Sequence, residues 1–388
     1  MAQTLKFGNG TWATKKGSTL AFNDEDGNYK PLPFTTTRAT SATRVNKEGL
    51  IEVVENDRPR IDYTDSADGA LLLEPTRSNY WTYSEGSAIT LNSPLGEFGF
   101  HTINNTFLNR AITYVGTINF TFIIKKIDGT IPTITTSSGS GDLVVLVSGS
   151  SAAGVAGVLT DIGNGFYKYE LTREANGASV ARIQNNSGLD TYVSLIQYED
   201  SSHPTSYIPT EGSAVTRVAD TASGAGNSEV FNDSEGVFMA EIANISENQT
   251  ATVAFSLSDG SASNAVSVYY FGTSGLYYDV FNSDGTRSGS TPMTKIQQAS
   301  NNKISLKYKS GDIALWVNGF KVNTNTGTLN LSGLSELNFD YGNGNFDFYG
   351  KTKELAYYDT TLTDAELETL TSYRSLSELV TELNLNTL

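Results

Sequence analysis

Two carboxylates projecting from one strand into a common cleft would suit cleavage of a glycosidic bond, one as acid and the other as base or nucleophile. The nearest approach to that arrangement is Glu336-Leu-Asn-Phe-Asp340, where Asn338 takes the middle acid position and no further acid follows nearby. Nucleophilic catalysis usually needs a histidine base, and the chain has only His101 and His203. His203 lies before Pro204 in a turn-like stretch, and His101 follows Gly99-Phe100 at a strand start without a recognisable nucleophile partner, so neither builds a triad. Two loops rich in side-chain oxygens, Asn23–Gly27 and Asp340–Asp347, have ligand types that suit calcium. Neither has the EF-hand spacing, and an ordinary turn is the plainer reading of both. No phosphate-cradling glycine loop occurs, so catalytic residues, metal and cofactor are all expected to be none.

Sugar recognition fits the residues better. A pyranose presents an apolar face rimmed by hydroxyls, and proteins meet it with exposed aromatic rings beside amide and carboxylate side chains. Tyr269, Tyr277 and Tyr341, with Asn343 and Asn345, supply those ingredients. Tyr269-Tyr270 and Tyr277-Tyr278 are adjacent pairs, so on strands one member of each faces the core and the other faces out. Taken singly, packing is the plainer reading of each of these rings.

The elements that must position them are strands. Tyr and Phe supply most of the aromatic residues (20 and 18), Gly is abundant (36) and apolar runs are short, which favours strands joined by turns over long helices. With 388 residues the chain accommodates two domains of about 150 residues and smaller pieces. Cysteine is absent, so packing and hydrogen bonds alone must hold the fold. The net charge of −16 argues against nucleic acid as a partner, because that affinity rests on Lys and Arg displacing counterions. No apolar stretch is long enough to span a membrane, and the first residues lack a charged segment followed by an apolar run, so neither membrane insertion nor a secretory signal is expected.

Strand candidates are 111–115, 118–124, 143–147, 166–171 and 192–198, followed by a second β region with cleaner hairpins. There Ile304, Leu306 and Tyr308 alternate with Ser305, Lys307 and Lys309, predicting one buried and one wet face. Asn318-Gly319, between 313–317 and 320–322, predicts a type I′ hairpin turn. Thr363 and Glu366 form a capping box with Leu362 and Leu367 as a hydrophobic staple, predicting a helix from Asp364; Ser375 and Glu378 repeat the box. Between residues 38 and 63 the apolar residues are too sparse for an independent core, so this stretch is expected to be extended and to lean on a neighbour.

Four phrases stand out: Arg38-Ala-Thr-Ser-Ala-Thr-Arg44-Val-Asn-Lys-Glu-Gly49-Leu-Ile-Glu52, Asp57-Arg-Pro-Arg60-Ile-Asp62-Tyr63, Leu71-Leu-Leu-Glu74-Pro75-Thr-Arg77-Ser-Asn79-Tyr-Trp-Thr-Tyr83-Ser-Glu85 and Thr205-Ser-Tyr-Ile-Pro209-Thr-Glu-Gly212-Ser-Ala-Val-Thr-Arg217-Val-Ala-Asp220. In content and order they resemble a recurrent module of bacteriophage tail-fibre and virion-appendage proteins, with Ser78 and Tyr80 as small departures. Gly163-Asn-Gly165-Phe-Tyr167-Lys-Tyr169 with Leu195-Ile-Gln-Tyr-Glu199 resembles carbohydrate-binding-module-like jelly rolls. Leu315-Trp-Val-Asn318-Gly319-Phe-Lys321 and Phe346-Asp-Phe-Tyr-Gly350 resemble concanavalin A-like and laminin-G-like lectin sandwiches.

The reading is therefore mainly β: two antiparallel β-sandwiches, jelly roll then concanavalin-like, after an extended N-terminal attachment region, with short C-terminal helices. The expected divisions are 1–77, 78–223, 224–372 and 373–388. The resemblance implies a nonenzymatic virion structural protein, made in the bacterial host cytoplasm, contacting other virion proteins through its N-terminal region and self-associating, with a trimer favoured. Host-surface glycan is the candidate ligand. A head or tail decoration protein binding only virion partners, and a polysaccharide-degrading tailspike, remain as alternatives.

Overall fold

The computed structural model describes residues 3–21, 29–136, 141–147, 157–247, 253–290 and 294–383. The chain is mainly β, built of antiparallel sheets with two short helices near the end. It packs into two units: one comprises Met1–Ala39, Glu55–Pro75 and Ala219–Leu388, the other Thr40–Val54 and Thr76–Val218. The path is not the serial one of an attachment region at 1–77 followed by sandwiches at 78–223 and 224–372, because packing draws segments distant in sequence into each unit.

In the first unit the strands run Phe320–Asn325, Ile313–Val317, Asn302–Lys309, Glu235–Asn244, Gly350–Tyr358, Ala70–Leu73 and Arg60–Asp62 across an eight-stranded sheet, and Leu5–Gly8 also pairs with Gly350–Tyr358. A five-stranded sheet orders Arg287–Ser290, Leu276–Phe281, Ala265–Tyr270, Val253–Ser258 and Glu336–Asn338. Phe238, Ile242, Leu306 and Leu355 from the first sheet share one core with Phe255, Leu257, Val266, Val268 and Tyr278 from the second. Leu5, Phe7, Phe34, Ile61, Leu71 and Leu73 lie in that same core. Of the sparse 38–63 stretch, Ile61 joins this core, whereas Thr40–Val54 belongs to the second unit.

The outer face of the large sheet is not wet either. Helix α1 (Asp364–Thr371) covers it, with Leu362 and Leu367 packed on Val237, Met239, Ala314 and Trp316, so Ser305 and Lys307 are buried where alternation predicted exposure. The capping box forms as expected: Glu366 N donates to Thr363 Oγ1 (3.3 Å) and Thr363 N to Glu366 Oε2 (2.8 Å). The turn at Asn318 (φ 51°) and Gly319 (φ 87°) takes the left-handed conformations that Asn and Gly tolerate.

Helix α2 (Leu376–Glu382) carries charged contacts to the sheet. Glu378 pairs with Lys303 (3.0 Å) and Glu382 with Lys353, whereas Leu376 is exposed. Between the two lysines lies Glu241, 4.0 and 3.9 Å from them. Burial raises its carboxyl to about 7, against the pull of Lys303 and Lys353 and with help from Glu382 and Glu354. Between the ordinary carboxylate range and about pH 7 the folded chain therefore keeps a proton that the unfolded chain has released, so stability falls as pH rises through that window. Glu241→Gln is expected to flatten this slope, gaining on the order of 3 kcal/mol relative to the parent between pH 5 and 8. Urea melts at the two pH values measure it; an unchanged slope would contradict the assignment.

In the second unit an eight-stranded sheet orders Ile89–Ser93, Gly96–Ile103, Thr191–Glu199, Phe107–Lys126, Phe166–Asn185, Leu143–Val147 and Ile134–Thr135, with Val158–Gly163 also on Phe166–Asn185. Ile118, Phe120, Phe122 and Ile124 point alternately into a core with Trp81, Tyr169 and Tyr198, while Ile123 faces Phe100, Phe166 and Leu195. The register shifts between Thr121 and Ile123, opposite Leu195, which takes φ 50° in the resulting bulge.

Candidate functional site

The four phrases do not assemble a ligand site. The chain passes between its two units at 39/40, 54/55, 75/76 and 218/219, and four charged residues of the phrases, Arg38, Arg60, Glu74 and Asp220, are buried in the first unit. Arg38 Nη1 donates to Asp220 Oδ1 (2.7 Å) and Nη2 to the Glu55 carbonyl (2.6 Å). Arg60 donates to Glu74 Oε2 (2.7 Å) and to Asp220 Oδ2, and the Glu74 amide also donates to Asp220 Oδ2 (2.9 Å). Burial disfavours the Arg60 charge, but Asp220 and Glu74 together hold its pKa above the ordinary value. In the second unit Asn79 Nδ2 donates to the carbonyls of Ile196 and Ile208, and Asn79 Oδ1 accepts from the amides of Trp81 and Tyr198. These signature residues satisfy one another and the backbone.

The candidate tyrosines lie instead on the outer face of the five-stranded sheet. Alternation sends Tyr270 and Tyr278 into the core at 0% exposure and leaves Tyr269 and Tyr277 half-exposed on the other side. These two are directly opposed in register, and their rings stack at 5.6 Å and 16°. The loop after Glu336–Asn338 folds back over this face: Ala254 N donates to the Phe346 carbonyl, and Ser256 Oγ to the Asp340 carbonyl (both 2.9 Å). Small Ala254, fully buried, is the register partner of Tyr269. Tyr341 meets Tyr269 edge to face at 5.4 Å, Phe346 meets Tyr341 at 6.1 Å, and Phe271 meets Tyr277 at 5.9 Å.

One carboxylate organises these rings. Asp279 Oδ2 accepts from Tyr269 Oη (2.9 Å), Tyr341 Oη (2.6 Å) and Arg287 Nη2 (3.1 Å), while Arg287 Nε sits 3.0 Å from Oδ1. Asp279 is 1% exposed, whereas half of the Arg287 side chain is open to solvent. Burial, and then the Asp279 charge, push the Tyr269 phenol well above its ordinary value; Tyr341 shifts the same way. Both hydroxyls therefore stay protonated donors turned toward Asp279, leaving ring carbon outermost. The Ser267 hydroxyl, in the same row as Asp279, is buried without a protein hydrogen-bond partner.

The structure thus brings Tyr269, Tyr277 and Tyr341 together on one face. Asn343 and Asn345 are exposed on the loop carrying Tyr341, with Asn343 Oδ1 accepting from the Asn345 amide (3.2 Å), so Asn343 serves its own turn. Asp279, Arg287 and Phe346 were missed as site residues. Asp279 had a local signal, since it stands two residues after Tyr277 and shares its face; Arg287 and Phe346 had none.

Other chemistry finds little support in the geometry. Asp340 Oδ1 accepts from the amides of Gly342 (2.6 Å) and Gly344 (3.2 Å), organising the turn, and Asn338 Oδ1 accepts from Gly224 N. Among the described residues no three His, Asp or Glu side chains converge to hold a metal, and the Asn23–Gly27 loop lies outside those residues. The second unit has a cleft of about 840 Å³ lined by Tyr83, Glu85, Gly86, His101, Pro209 and Glu211. His101 Nε2 lies 3.1 Å from the Tyr83 carbonyl, and burial lowers its pKa. A Cβ on Gly99 would meet the Gly86 carbonyl oxygen at 2.0 Å, so one wall of the cleft depends on glycine.

No protein-family model matches the chain, and no curated protein matches it. Among solved structures it is similar to the CBM40 domain of Ruminococcus gnavus IT-sialidase bound to α2,3-sialyllactose, with TM-score 0.32 and 18% identity over 39% of this chain and 94% of that one. It is also similar to domain 4 of AbnA, a GH43 extracellular arabinanase from Geobacillus stearothermophilus, in complex with arabinotriose (TM-score 0.32, 13% identity, 45% and 84%). A third is the receptor-binding domain of botulinum neurotoxin type G (TM-score 0.29, 11% identity, 39% and 38%). Likeness at this level carries no information about ligand or activity.

Proposed function

We propose that this chain is a nonenzymatic glycan-binding subunit of a bacteriophage appendage, fibre or fibre-like, and that it holds carbohydrate on the face formed by Tyr269, Tyr277 and Tyr341. The observation that carries the binding reading is the convergence of three tyrosines from separate segments onto one open sheet face, two of them held there by the buried Asp279. A packing role alone does not explain why rings so placed stay half-exposed while their neighbours Tyr270 and Tyr278 fill the core. The virion setting, contact with other virion proteins and trimeric self-association rest on the resemblance of the four phrases.

A glycan array probed with the multivalently displayed full chain tests the binding reading. Capture of defined glycans is expected, with Tyr277→Ala weakening it by about tenfold or more, the loss expected from one well-placed aromatic contact. Circular dichroism of the variant checks that the sheet is intact. No capture under avid display would favour the decoration role, in which the protein binds only other virion components.

A further inference from the structure

Resting on the glycan reading of this face, we infer that the ligand is an uncharged, extended oligosaccharide lying across the strands, contacted along several consecutive sugar units rather than at one terminal residue. The rings form a strip, not a pocket. Phe346, Tyr341, Tyr269 and Tyr277 follow one another at centroid steps of 6.1, 5.4 and 5.6 Å, and Phe271, two residues after Tyr269, flanks Tyr277 at 5.9 Å. Its direction follows from register: Asp347 bridges Ala254, Ala254 pairs with Tyr269, and Tyr269 pairs with Tyr277, so the strip runs perpendicular to the strands. Steps of this size are close to the repeat of hexopyranoses in an extended glycan.

Ring orientation narrows the ligand further. Three of the four contacts are edge to face and one is stacked, so the rings are not a coplanar table for a crystalline polysaccharide surface. Alternating faces and edges suit one chain whose successive units present different sides. Phe346, at one end of the row, and Phe271, beside Tyr277 at the other, are each 54% exposed, so neither caps the face against a longer chain.

Charge points to a neutral ligand. The chain carries −16 overall, a field that repels polyanions. The Arg287 guanidinium is paired with Asp279, and Asp340 is turned into its own loop amides. Half-buried Asp347 has its carboxyl raised by burial and by Asp340.

The test is a length series of neutral β-1,4- and α-1,4-linked gluco-oligosaccharides, from mono- to hexasaccharide, titrated calorimetrically into the full-length chain beside uronic-acid analogues of matching length. Affinity is expected to rise by about tenfold or more between di- and tetrasaccharide and then level off, as each added unit gains a ring. Phe346→Ala, at the end of the row, and Phe271→Ala, beside Tyr277, should each remove the gain in affinity from the longer ligands. Binding that saturates at a mono- or disaccharide overturns the extended-chain inference while leaving the face a glycan site. Tighter binding of the uronic-acid series overturns its neutral character. No binding at any length overturns both this inference and the glycan reading on which it rests.

Discussion

Asp220→Ala is expected to destabilise the first unit by about 3–5 kcal/mol, the cost of breaking a buried ion pair from one side. Its carboxylate is the shared partner of Arg38 and Arg60, whose side chains are 2% and 0% exposed, so its loss leaves two buried guanidinium groups with Glu74 as their one remaining carboxylate partner in this cluster. The Glu74 amide loses its acceptor in the same step. Equilibrium urea unfolding measures the change. Replacing Arg38, Arg60, Glu74 and Asp220 together by apolar residues of similar volume should cost much less, because no charge is then stranded. A cost below about 1 kcal/mol for Asp220→Ala, the size of an exposed pair, would mean that the cluster is solvated and that the network is not what holds these segments.

The second large effect is at Asp279, argued here as a positioning residue rather than a ligand contact. Asp279→Ala removes the one oxygen that Tyr269, Tyr341 and Arg287 share, freeing both phenols to turn toward water. Glycan affinity is expected to fall by about a hundredfold, more than for Tyr277→Ala, since two rings lose their orientation at once. Asp279→Asn keeps one carbonyl acceptor and should recover part of the loss. Near-UV circular dichroism should change in Asp279→Ala and not in Tyr277→Phe, a signature that simple loss of a contact would not produce. Full affinity in Asp279→Ala alongside lost affinity in Tyr277→Ala would show that the rings hold themselves by packing alone.

Local patterns were legible where the physics is local. The Asn318-Gly319 turn needs only two residues that tolerate positive φ, the Thr363 box needs four consecutive residues, and the inward Tyr270 and Tyr278 follow from strand alternation. Alternation failed at Ser305 and Lys307 because helix α1, some sixty positions later, covers the face that local polarity assigned to solvent. How the second helix docks was not legible locally: Leu376 stays exposed, and Glu378 and Glu382 make contacts with Lys303 and Lys353.

Residue identity alone determined that this protein is a strand-and-turn chain without thiol chemistry and that one tyrosine of each adjacent pair would face outward, because composition and periodicity are properties of the chain by itself. Only the tertiary structure decided which groups meet. Asp220 finds Arg38 across 182 positions, Tyr341 reaches Asp279 across 62, and the N-terminal strands close the core of a sandwich formed mainly by the last third of the chain. A buried charge or hydroxyl is stable only beside a specific partner, and sequence separation places no bound on where that partner comes from.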